Sequence, residues 1–466
     1  MSVKAAHHAP ATQPQRAPRK SMESTLLLIA ATSSLALMPC CMRRCGPGAA
    51  RALHALRARS PLMSTAADRG RYVDSLDEAA LALRSGGLVA FPTETVYGLG
   101  AHAFDEDAVA RIFATKGRPR TDPLIVHVAA AAEAERLVRL GPAGLELMRG
   151  LAAEFWPGPL TIVAPAVAEL PPAVTAGSGF VGVRCPAHAP ARALLRAAAV
   201  PVAAPSANRF GHVSPTSAEH VMADLGAHPI LVLRAAPGEA PCGVGIESTV
   251  VKVDEAGGAL VLLRRGGVPE AALARWLTGG RAPFSLRAPP APAPAAASAA
   301  APAAAAPAVA SADAPQQAPG MLLTHYAPDV PSFLLAVDDG ALGGGAAAAW
   351  RGAAAGWLSR AVVVDYGRRA AALEPLALAY RDLSADADGP RAAAVLFETL
   401  RWAERQADGG ARVILLPDLG DDDDEHVPAL ADRLYRAASG ERCRVGADGT
   451  LAGDAADAVL ARATAD

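Results

Sequence analysis

An alanine- and proline-rich stretch divides this 466-residue chain near its middle. From Ala288 to Pro319, 26 of 32 residues are Ala or Pro, and Asp313 carries the only charge. A span with eight prolines cannot continue a helix, and it has too little apolar bulk to form a core. We therefore predict a semi-extended linker that separates two packed regions.

The first 69 residues are also unusual, because they carry 10 Lys and Arg residues against only Glu23 and Asp68. Basic residues precede the apolar run from Leu26 to Met38, and an Arg-rich stretch follows it. As a helix this run would rise about 20 Å, short of a bilayer core of about 30 Å, so a stable membrane span is not expected. We predict a presequence for a plastid or a mitochondrion, or a cytoplasmic protein if these residues are only a disordered extension.

These two features predict four segments along the chain. They are a presequence over 1–69, a domain over 70–281, a linker segment over 282–330 and a second domain over 331–466. In both domains, short apolar runs bounded by Gly or Pro alternate with amphipathic helical patterns. This alternation is typical of α/β folds.

Strand-length apolar runs can be placed in both domains. The predicted strands are Leu88–Phe91, Leu124–Val128, Leu160–Val163, Val181–Val183, Val200–Ala203, Ile230–Leu233, Thr249–Val253, Leu260–Leu263, Phe333–Val337, Ala361–Val364 and Arg412–Leu416. Asp105 is a suitable N-cap for a helix that ends at Lys116. Ser214, followed by Pro215, is predicted to cap a helix toward Gly226, and Val427–Ala438 is predicted to be a further helix.

Charge and cysteine content exclude several classes of protein. The net charge is −2, and residues 70–281 carry 19 basic against 20 acidic side chains, without the excess that binding along a nucleic acid requires. A narrow basic pocket remains compatible with these counts. Cys185, Cys242 and Cys443 form no C-x-x-C pair, so we expect buried thiols and no metal site. The acidic run Asp421–Glu425 is interpreted as a solvated loop, with a metal site as the alternative.

One glycine-rich motif is misleading. Gly177, Gly179 and Gly182 fit G-x-G-x-x-G, but the motif leads into Val181–Arg184, which has the pattern of a strand. A dinucleotide site needs a helix at that point. A G-x-x-x-x-G-K-[ST] loop is absent as well. Any nucleotide must therefore be held without either loop.

Polar side chains follow several of the predicted strands and helices. Thr93, Glu94, Thr95 and Tyr97 come after the first strand, where ligands bind in open α/β sheets. Further candidates at element ends are Lys116, Arg118, Arg184, Ser206, Asn208, Ser214, Ser248 and Arg264. Taken singly, each is an ordinary cap, turn or helix-terminal charge. Together, the cations and hydroxyls are suited to a polyanion bound beside a small zwitterion.

Five motifs occur together in the first domain. They are Phe-Pro-Thr-Glu-Thr-Val-Tyr-Gly-Leu-Gly100, Lys116-x-Arg118 with Pro-Leu-Ile-Val-His127, Phe155-Trp-Pro-Gly-Pro-Leu-Thr161, Ser206-x-Asn208 and Gly245-Ile-Glu-Ser-Thr-Val250. In combination they resemble the YrdC-type threonylcarbamoyl-AMP synthase family. Pro319-Gly-Met-Leu-Leu-Thr-His-Tyr-Ala-Pro328 is similar to a segment of the family's two-domain members. The resemblance implies a YrdC-like twisted mixed sheet with helices, plus a smaller Rossmann-like α/β domain at the C-terminus.

The resemblance also implies a reaction. L-Threonine, bicarbonate and ATP would give L-threonylcarbamoyl-AMP and pyrophosphate, with Mg²⁺ expected on the phosphates. A downstream transferase would then modify the tRNA adenosine next to the anticodon, and binding of tRNA by this chain itself is possible but not required. The implied ATP contacts are Lys116, Arg118, Asp122, Ser206, Asn208, Ser214, Arg264 and Tyr326, with Lys116 and Arg118 catalytic. The implied threonine contacts are Thr95, His127, Arg184 and Ser248.

The sequence departs from the family's usual pattern at three places. Asp122 stands where Asn is usual, and Phe180 stands where Thr is usual. The linker is also longer than usual, and we expect the segment containing His325 and Tyr326 to fold over the cavity as a lid. Two alternative functions are a non-catalytic RNA-binding module and carbamoyl transfer in hydrogenase maturation. The second would require zinc-finger and acylphosphatase segments, which are absent.

Overall fold

The computed structural model describes residues 69–235, 242–281, 283–288, 315–337, 355–420, 423–446 and 450–464. The predicted presequence, except for Arg69, and residues 289–314 of the predicted linker lie outside these ranges. Ser64–Asp466 form one compact unit. Within the described ranges, no helix is both long and apolar enough to cross a membrane.

Eleven strands of the described chain form one mixed sheet. They are β1 (Arg71–Val73), β2 (Val89–Phe91), β3 (Gly98–His102), β4 (Ile125–His127), β5 (Leu160–Pro165), β6 (Phe180–Arg184), β7 (Val202–Ala203), β8 (Leu231–Leu233), β9 (Thr249–Asp254), β10 (Ala259–Arg264) and β11 (Ser285–Arg287). Their order is β1-β8-β2-β3-β7-β4-β6-β5-β9-β10-β11, with parallel and antiparallel pairs interspersed. The predicted mixed sheet is confirmed, and it includes all eight strands predicted for the first domain.

Helices pack against this sheet through alanine- and leucine-rich faces. They are α1 (Leu76–Arg84), α2 (Glu106–Lys116), α3 (Ala131–Glu135), α4 (Pro142–Phe155), α5 (Pro172–Thr175), α6 (Ala189–Ala198), α7 (Ala218–Leu225) and α8 (Glu270–Trp276), which continues into a π-helical turn at Leu277–Arg281. The G-x-G-x-x-G stretch leads into β6, as predicted. The structural context of a dinucleotide-binding loop is therefore missing there.

The ends of α2 place two cations beside each other. The carboxylate of Asp105 accepts a hydrogen bond from the amide of Ala108 at 2.9 Å, which confirms the predicted N-cap. Gly117 ends the helix with a φ of +64°, a left-handed conformation that glycine adopts without steric cost. The chain therefore turns away immediately between Lys116 and Arg118.

The helix cap predicted at Ser214 is wrong. α7 begins four residues later, and the hydroxyl of Ser217 accepts the hydrogen bond from the amide of His220. Ser214 is fully buried and donates its hydroxyl proton to a carboxylate oxygen of Glu247 at 2.6 Å. Both serines satisfy the local capping pattern, so only the long-range contact with Glu247 separates their roles.

A second, smaller sheet is built from the C-terminal part of the chain. Its strands are β12 (Ser332–Val337), β13 (Ala361–Asp365), β14 (Ala379–Asp382), β15 (Val413–Pro417), β16 (Arg442–Val445) and β17 (Leu451–Ala452). The helices are α9 (Ala355–Leu358), α10 (Gly389–Arg405), α11 (Val427–Ala437) and α12 (Ala456–Thr464), with 3-10 turns at Ala371–Leu373 and Gln406–Gly409. An α/β domain was predicted here.

The strand order in this sheet is β14-β13-β15-β12-β16-β17. Neighbours from β14 to β16 run parallel, and β17 is antiparallel. In the standard dinucleotide-binding order the first two strands are adjacent, whereas β15 separates β12 from β13 here. The likeness to a Rossmann fold therefore lies in the mostly parallel sheet with helices and not in the strand order.

The two sheets are joined through a shared apolar cluster. Residues of the first domain, such as Val96 and Ile246, belong to the same buried cluster as Phe397 of α10. Gly245 lies so close to α10 that a Cβ atom there would come within 2.4 Å of the carbonyl oxygen of Ala393. We call residues 315–328 the strap, and its Tyr326 belongs to this cluster as well.

The acidic run is part of this packing where the structure describes it. Asp424 accepts hydrogen bonds from the amides of Gly389 and His426, each at 2.8 Å. Glu425 pairs with Arg275 at 2.8 Å, and residues 421 and 422 lie outside the described ranges. These contacts are those of a loop at helix N-termini.

Candidate active site

A cavity opens where strand ends of the large sheet meet the strap. Its empty volume is about 560 Å³. Eight of the twelve predicted site residues line it, namely Thr95, Arg118, His127, Arg184, Ser206, Ser248, Arg264 and Tyr326. The other four, Lys116, Asp122, Asn208 and Ser214, are buried directly behind this lining. The structure therefore gathers the predicted residues at one place.

One end of the cavity, the paired end, consists of Glu94, Thr95, His127 and Arg184. Arg184 lies 2.7 Å from Glu94 and donates to the Thr95 hydroxyl at 2.9 Å and to the carbonyl of Gly158 at 3.2 Å. Burial opposes ionisation of Glu94, but Arg184 outweighs it and lowers the pKa of that carboxyl below its ordinary value. The paired end therefore holds one cation and one anion.

His127 ends β4 at the same place and is buried. Burial, together with the neighbouring Arg184, lowers the pKa of His127 to about 3. Its imidazole is therefore neutral at physiological pH, because protonation would create a second buried cation beside Arg184.

The opposite end, the cation end, consists of Lys116, Arg118, Arg264 and Tyr326. The ammonium of Lys116 donates to the carbonyl of Ser206 at 2.6 Å and to the carbonyl of Asn208. Burial, and then repulsion by Arg118, lowers the pKa of Lys116 well below its ordinary value. An ammonium has three donors, so one remains for an anion.

Arg118 is held by the backbone and by Asp122. It donates to the carbonyls of Asp122 and Pro123 at 3.2 and 2.8 Å, and it lies 2.9 Å from the Asp122 carboxylate. Burial raises the pKa of Asp122, although Arg118 and Lys116 act in the opposite direction. Asp122, which stands where Asn is usual in the family, is thus paired with Arg118 and adds no unpaired negative charge beside the cations.

Arg264, the last residue of β10, connects the eleven-stranded sheet with the strap. Its guanidinium donates to the carbonyl of Ser248 at 2.8 Å and to the carbonyl of Pro319 in the strap at 3.0 Å. It also donates to the Ser248 hydroxyl at 3.2 Å, and that hydroxyl lies 2.8 Å from the Thr161 hydroxyl. Ser248 thus lies between the two ends of the cavity.

The strap buries two aromatic side chains at the cation end. His325 and Tyr326 are buried, and their rings lie 4.1 Å apart between centroids. Burial lowers the pKa of His325 well below its ordinary value and raises the pKa of Tyr326 to about 12. Both groups are therefore neutral, and the phenol keeps its proton.

Several buried polar atoms at the cation end have no hydrogen-bond partner among the described residues. They include the Tyr326 hydroxyl and Nδ1 of His325, both of which can donate to an anion. In addition, neither Lys116 nor Arg264 forms an ion pair with a described carboxylate. Buried groups of this kind are costly unless something satisfies them, so this end has the chemistry of an anion site.

Comparison with known proteins agrees with this geometry. A Sua5/YciO/YrdC family model, described as telomere recombination, matches residues 81–266. A second model, described as the C-terminal domain of threonylcarbamoyl-AMP synthase, matches residues 293–439. The crystal structure of Pyrococcus abyssi Sua5 complexed with L-threonine aligns with 81% of this chain and 99% of its own, at 32% identity and a TM-score of 0.61. The chain belongs to the Sua5/YrdC threonylcarbamoyl-AMP synthase family.

Curated relatives in the Sua5/YrdC family carry the name threonylcarbamoyl-AMP synthase. The one from Pyrococcus abyssi is 48% identical over 191 residues, and the one from Bacillus subtilis is 47% identical over 192 residues. Each alignment covers 41% of this chain. The chain spans about half the length of these relatives, 54% and 53% respectively.

Phe180, the second departure from the family pattern, has a packing role. Its ring lies 3.9 Å from the ammonium of Lys252, and it packs against a small cluster that includes Ala318 of the strap. A Thr at this position would offer neither contact.

Sequence reasoning assigned no role to three charged residues at the site. Glu247 lines the cavity, and Glu94 pairs with Arg184, which lines it, yet their motifs predicted roles only for the adjacent residues. Arg433, on α11, reaches Glu247 from the other domain at 2.9 Å. An acidic residue inside a motif of hydroxyls was a usable signal for the two glutamates, but no local pattern marks Arg433.

Proposed function

We propose that this protein condenses L-threonine, bicarbonate and ATP to L-threonylcarbamoyl-AMP and pyrophosphate. The observation that carries the proposal is the cation end, where Lys116 and Arg264 are buried and donate only to carbonyl and hydroxyl oxygens among the described residues. A triphosphate supplies the negative charge that these groups lack. The name of the Pyrococcus abyssi structure, which includes L-threonine, supports the second substrate.

The paired end fits threonine, because it offers one group for each charge of a zwitterion. Arg184 is assigned to the threonine carboxylate, and the hydroxyls of Thr95 and Ser248 orient the substrate without adding charge. Since His127 is neutral, it adds no repulsion against the amine. The amine must lose its proton before its nitrogen bonds to the carbon of bicarbonate and water leaves.

The carbamate oxygen then attacks the α-phosphorus of ATP while the bond to pyrophosphate breaks. Two anions approach each other in this step, so their repulsion has to be offset. Lys116 and Arg118 lie within the anion site and are assigned to the charge that develops toward pyrophosphate. Binding both substrates in one narrow cavity supplies the orientation.

Water must be kept away from the mixed anhydride, which hydrolyses readily. The strap is assigned to this role because His325 and Tyr326 form one wall of the cavity. Closure of the strap over a bound nucleotide would shield the anhydride from water, and Pro319 and Gly320 of the strap line the cavity as well.

The cavity does not fit a protein-held metal ion. Asp122 is paired with Arg118, and Glu247 with Arg433. Among the described residues, the group with metal-like spacing is His212, Asp329 and Glu404, which does not line the cavity. We therefore propose that Mg²⁺ is held by the phosphates and water, and we assign no step to a protein-bound metal.

The product is proposed to pass to a separate transferase that modifies tRNA. The alternative of a non-catalytic RNA-binding module is not favoured, since the cations lie in a buried cavity and not on an exposed face.

We also propose that residues 1–69 direct the protein to a plastid or a mitochondrion, on the basis of their charge pattern. A fluorescent fusion of these residues would test the destination.

The decisive experiment measures pyrophosphate release with ATP alone and after adding threonine, bicarbonate or both. We expect release to require both additions and to fall at least about 100-fold in Lys116→Ala, as is typical for loss of one charged donor. Arg149→Ala is the matched control, because Arg149 is exposed and pairs with Glu135 away from the cavity. Release independent of threonine, or equal in both variants, would refute the proposal.

A further inference from the structure

Arg433 of the C-terminal domain is fully buried, with 0% of its side chain exposed. Each of its three guanidinium nitrogens has a partner. Nε donates to Glu247 at 2.9 Å, and the other two nitrogens donate to Asp432 at 3.0 Å and to the carbonyl of Arg265 at 2.9 Å. Two of these partners, Glu247 and Arg265, belong to the first domain, where they lie next to β9 and β10, so α11 reaches across the domain boundary with a fixed, fork-like group.

The contact with Glu247 continues toward the cavity. Glu247 lines the cavity, and its second oxygen accepts the hydrogen bond from Ser214 at 2.6 Å. The next residue in the chain is Ser248, whose carbonyl accepts from Arg264. Arg433 therefore holds the Glu247 carboxylate in place. Glu247 in turn accepts the hydrogen bond of Ser214, and it directly precedes Ser248, which lines the cavity.

A second contact reaches the strap. The guanidinium carbon of Arg433 lies 5.3 Å from the ring centroid of Tyr326, and the ring of Phe397 lies 5.4 Å from Tyr326. Tyr326 has a φ of +62°, which is an unfavourable backbone conformation for a side chain of this size. Contacts from α10 and α11 are what hold the ring in place.

Charge gives Arg433 a further effect on the anion site. An unpaired Glu247 would place a buried negative charge in the wall of a cavity that must accept a triphosphate. The ion pair with Arg433 offsets that charge without placing another cation inside the cavity.

We propose that Arg433 is a positioning residue of the cation end, through which the C-terminal domain sets the affinity for ATP. This inference rests on the proposed function, and it adds a role for the second domain. Arg433 acts through Glu247 and Tyr326, and it does not line the cavity itself. Its loss should therefore weaken nucleotide binding while leaving the paired end intact.

The chain offers a matched control in Arg401 of α10. Arg401 is also buried, and it reaches across the same boundary to Asp224 at 3.0 Å and to the carbonyl of Val213. Neither Asp224 nor Val213 lines the cavity. Arg401→Met and Arg433→Met thus each remove one buried ion pair between the domains. Only the partner of Arg433, Glu247, lines the cavity.

The test uses the full chain with Arg433→Met, Arg433→Lys and Arg401→Met. For each we would measure binding of a non-hydrolysable ATP analogue, binding of threonine, KM for ATP and the urea midpoint. We expect Arg433→Met to raise the ATP-analogue Kd and the KM at least about tenfold, with threonine affinity within about twofold. Arg433→Lys should give an intermediate rise, and it carries the test if Arg433→Met does not fold. Arg401→Met should lower the urea midpoint with nucleotide affinity within about twofold.

Equal nucleotide affinity in the Arg433 and Arg401 variants would overturn the inference, and so would a matching loss of threonine affinity. Glu247→Gln gives a further check, because adding Arg433→Met to it should raise the ATP-analogue Kd by a smaller factor than in the original protein, with only the Tyr326 contact left to lose. A full additive loss would show that Arg433 does not act through Glu247. Absence of pyrophosphate release by the unmodified protein would count against the proposed function alone, since the binding measurements do not depend on turnover.

Discussion

The two ends of the cavity differ in how their cations are paired. At the paired end, Arg184 meets Glu94, and all of the residues come from the first domain. At the cation end, Lys116 and Arg264 donate only to uncharged oxygens among the described residues, the strap completes the wall, and Arg433 of the second domain holds Glu247 from behind it. A small zwitterion needs a nearly neutral site, whereas a triphosphate needs a positive one. The difference supports the proposed assignment of threonine to the paired end and of ATP to the cation end.

Loss of Arg184 should have the largest effect of the changes considered below. Arg184→Met leaves the buried Glu94 without its cation, so we expect kcat/KM for threonine to fall about 100- to 1,000-fold, about 3 to 4 kcal/mol. Binding of an ATP analogue should change by less than about threefold. Steady-state kinetics and calorimetry would measure both, and Arg184→Met with Glu94→Gln checks that the fold survives. A similar loss of ATP-analogue binding would contradict the assignment of a different substrate to each end.

Replacing the strap should separate water exclusion from substrate binding. We expect a chain with residues 320–328 exchanged for nine Gly and Ser residues to hydrolyse ATP unproductively at least about threefold faster, because His325 and Tyr326 no longer close the cation end. Threonine affinity should change less, since the paired end lies within the first domain. Rates of ADP or AMP formation without product, compared with product formed, would measure this. Unaltered product accumulation contradicts a lid.

Asp122→Asn should strengthen the cation end. The change removes the carboxylate beside Arg118, which keeps its two backbone acceptors, so KM for ATP should fall about three- to tenfold. Because the pKa of Asp122 is raised, lowering the pH should protonate it earlier than an ordinary Asp and bring the original protein toward the variant. Asp254→Asn, at the exposed pair with Arg287, serves as the control. A rise in KM would mean that Asp122 assists binding.

His212 should give the smallest effect, on stability and not on either substrate. It bridges Asp224 at 2.8 Å and Glu404 at 3.0 Å. Burial alone would lower the pKa of His212, but the two carboxylates outweigh it and raise the pKa above its ordinary value. The stabilisation is therefore complete below about pH 6.5 and is lost as pH rises through the higher folded-state pKa.

The check is urea unfolding of the original protein and His212→Gln between pH 6 and 9. We expect a difference of about 1 to 3 kcal/mol at the acidic limit that shrinks as pH rises. A difference that grows with pH would reverse the sign of the argument. Substrate affinity should be unchanged, because His212 does not line the cavity.

Most of the sheet was predictable because its strands are apolar runs bounded by Gly and Pro. β3 was missed because glycines at positions 98 and 100 weaken the strand pattern, although the second packs where a Cβ would come within 2.8 Å of Val202. The cap at Ser214 was predicted wrongly because Ser217 satisfies the same local rule.

The site could be predicted in part for a related reason. Strand ends of one sheet converge, so residues at those ends, such as Arg184 and Ser248, were found from their positions in the sequence. Arg433 lies 186 residues from Glu247 and on another domain, and nothing in its own helix distinguishes it from Arg436. Such a contact depends on docking between domains, which no local pattern encodes.

The close seat of α10 on Gly245 has a consequence for how the chain can evolve. Because even one methyl group there would collide with the backbone of α10, the docking of the domains depends on surfaces that fit closely at this point. Outside the strap, a linker has only to keep the two domains at a high effective concentration, a quantity that changes slowly with its length. Such a linker can lengthen and accumulate alanine and proline, whereas position 245 is not free to change.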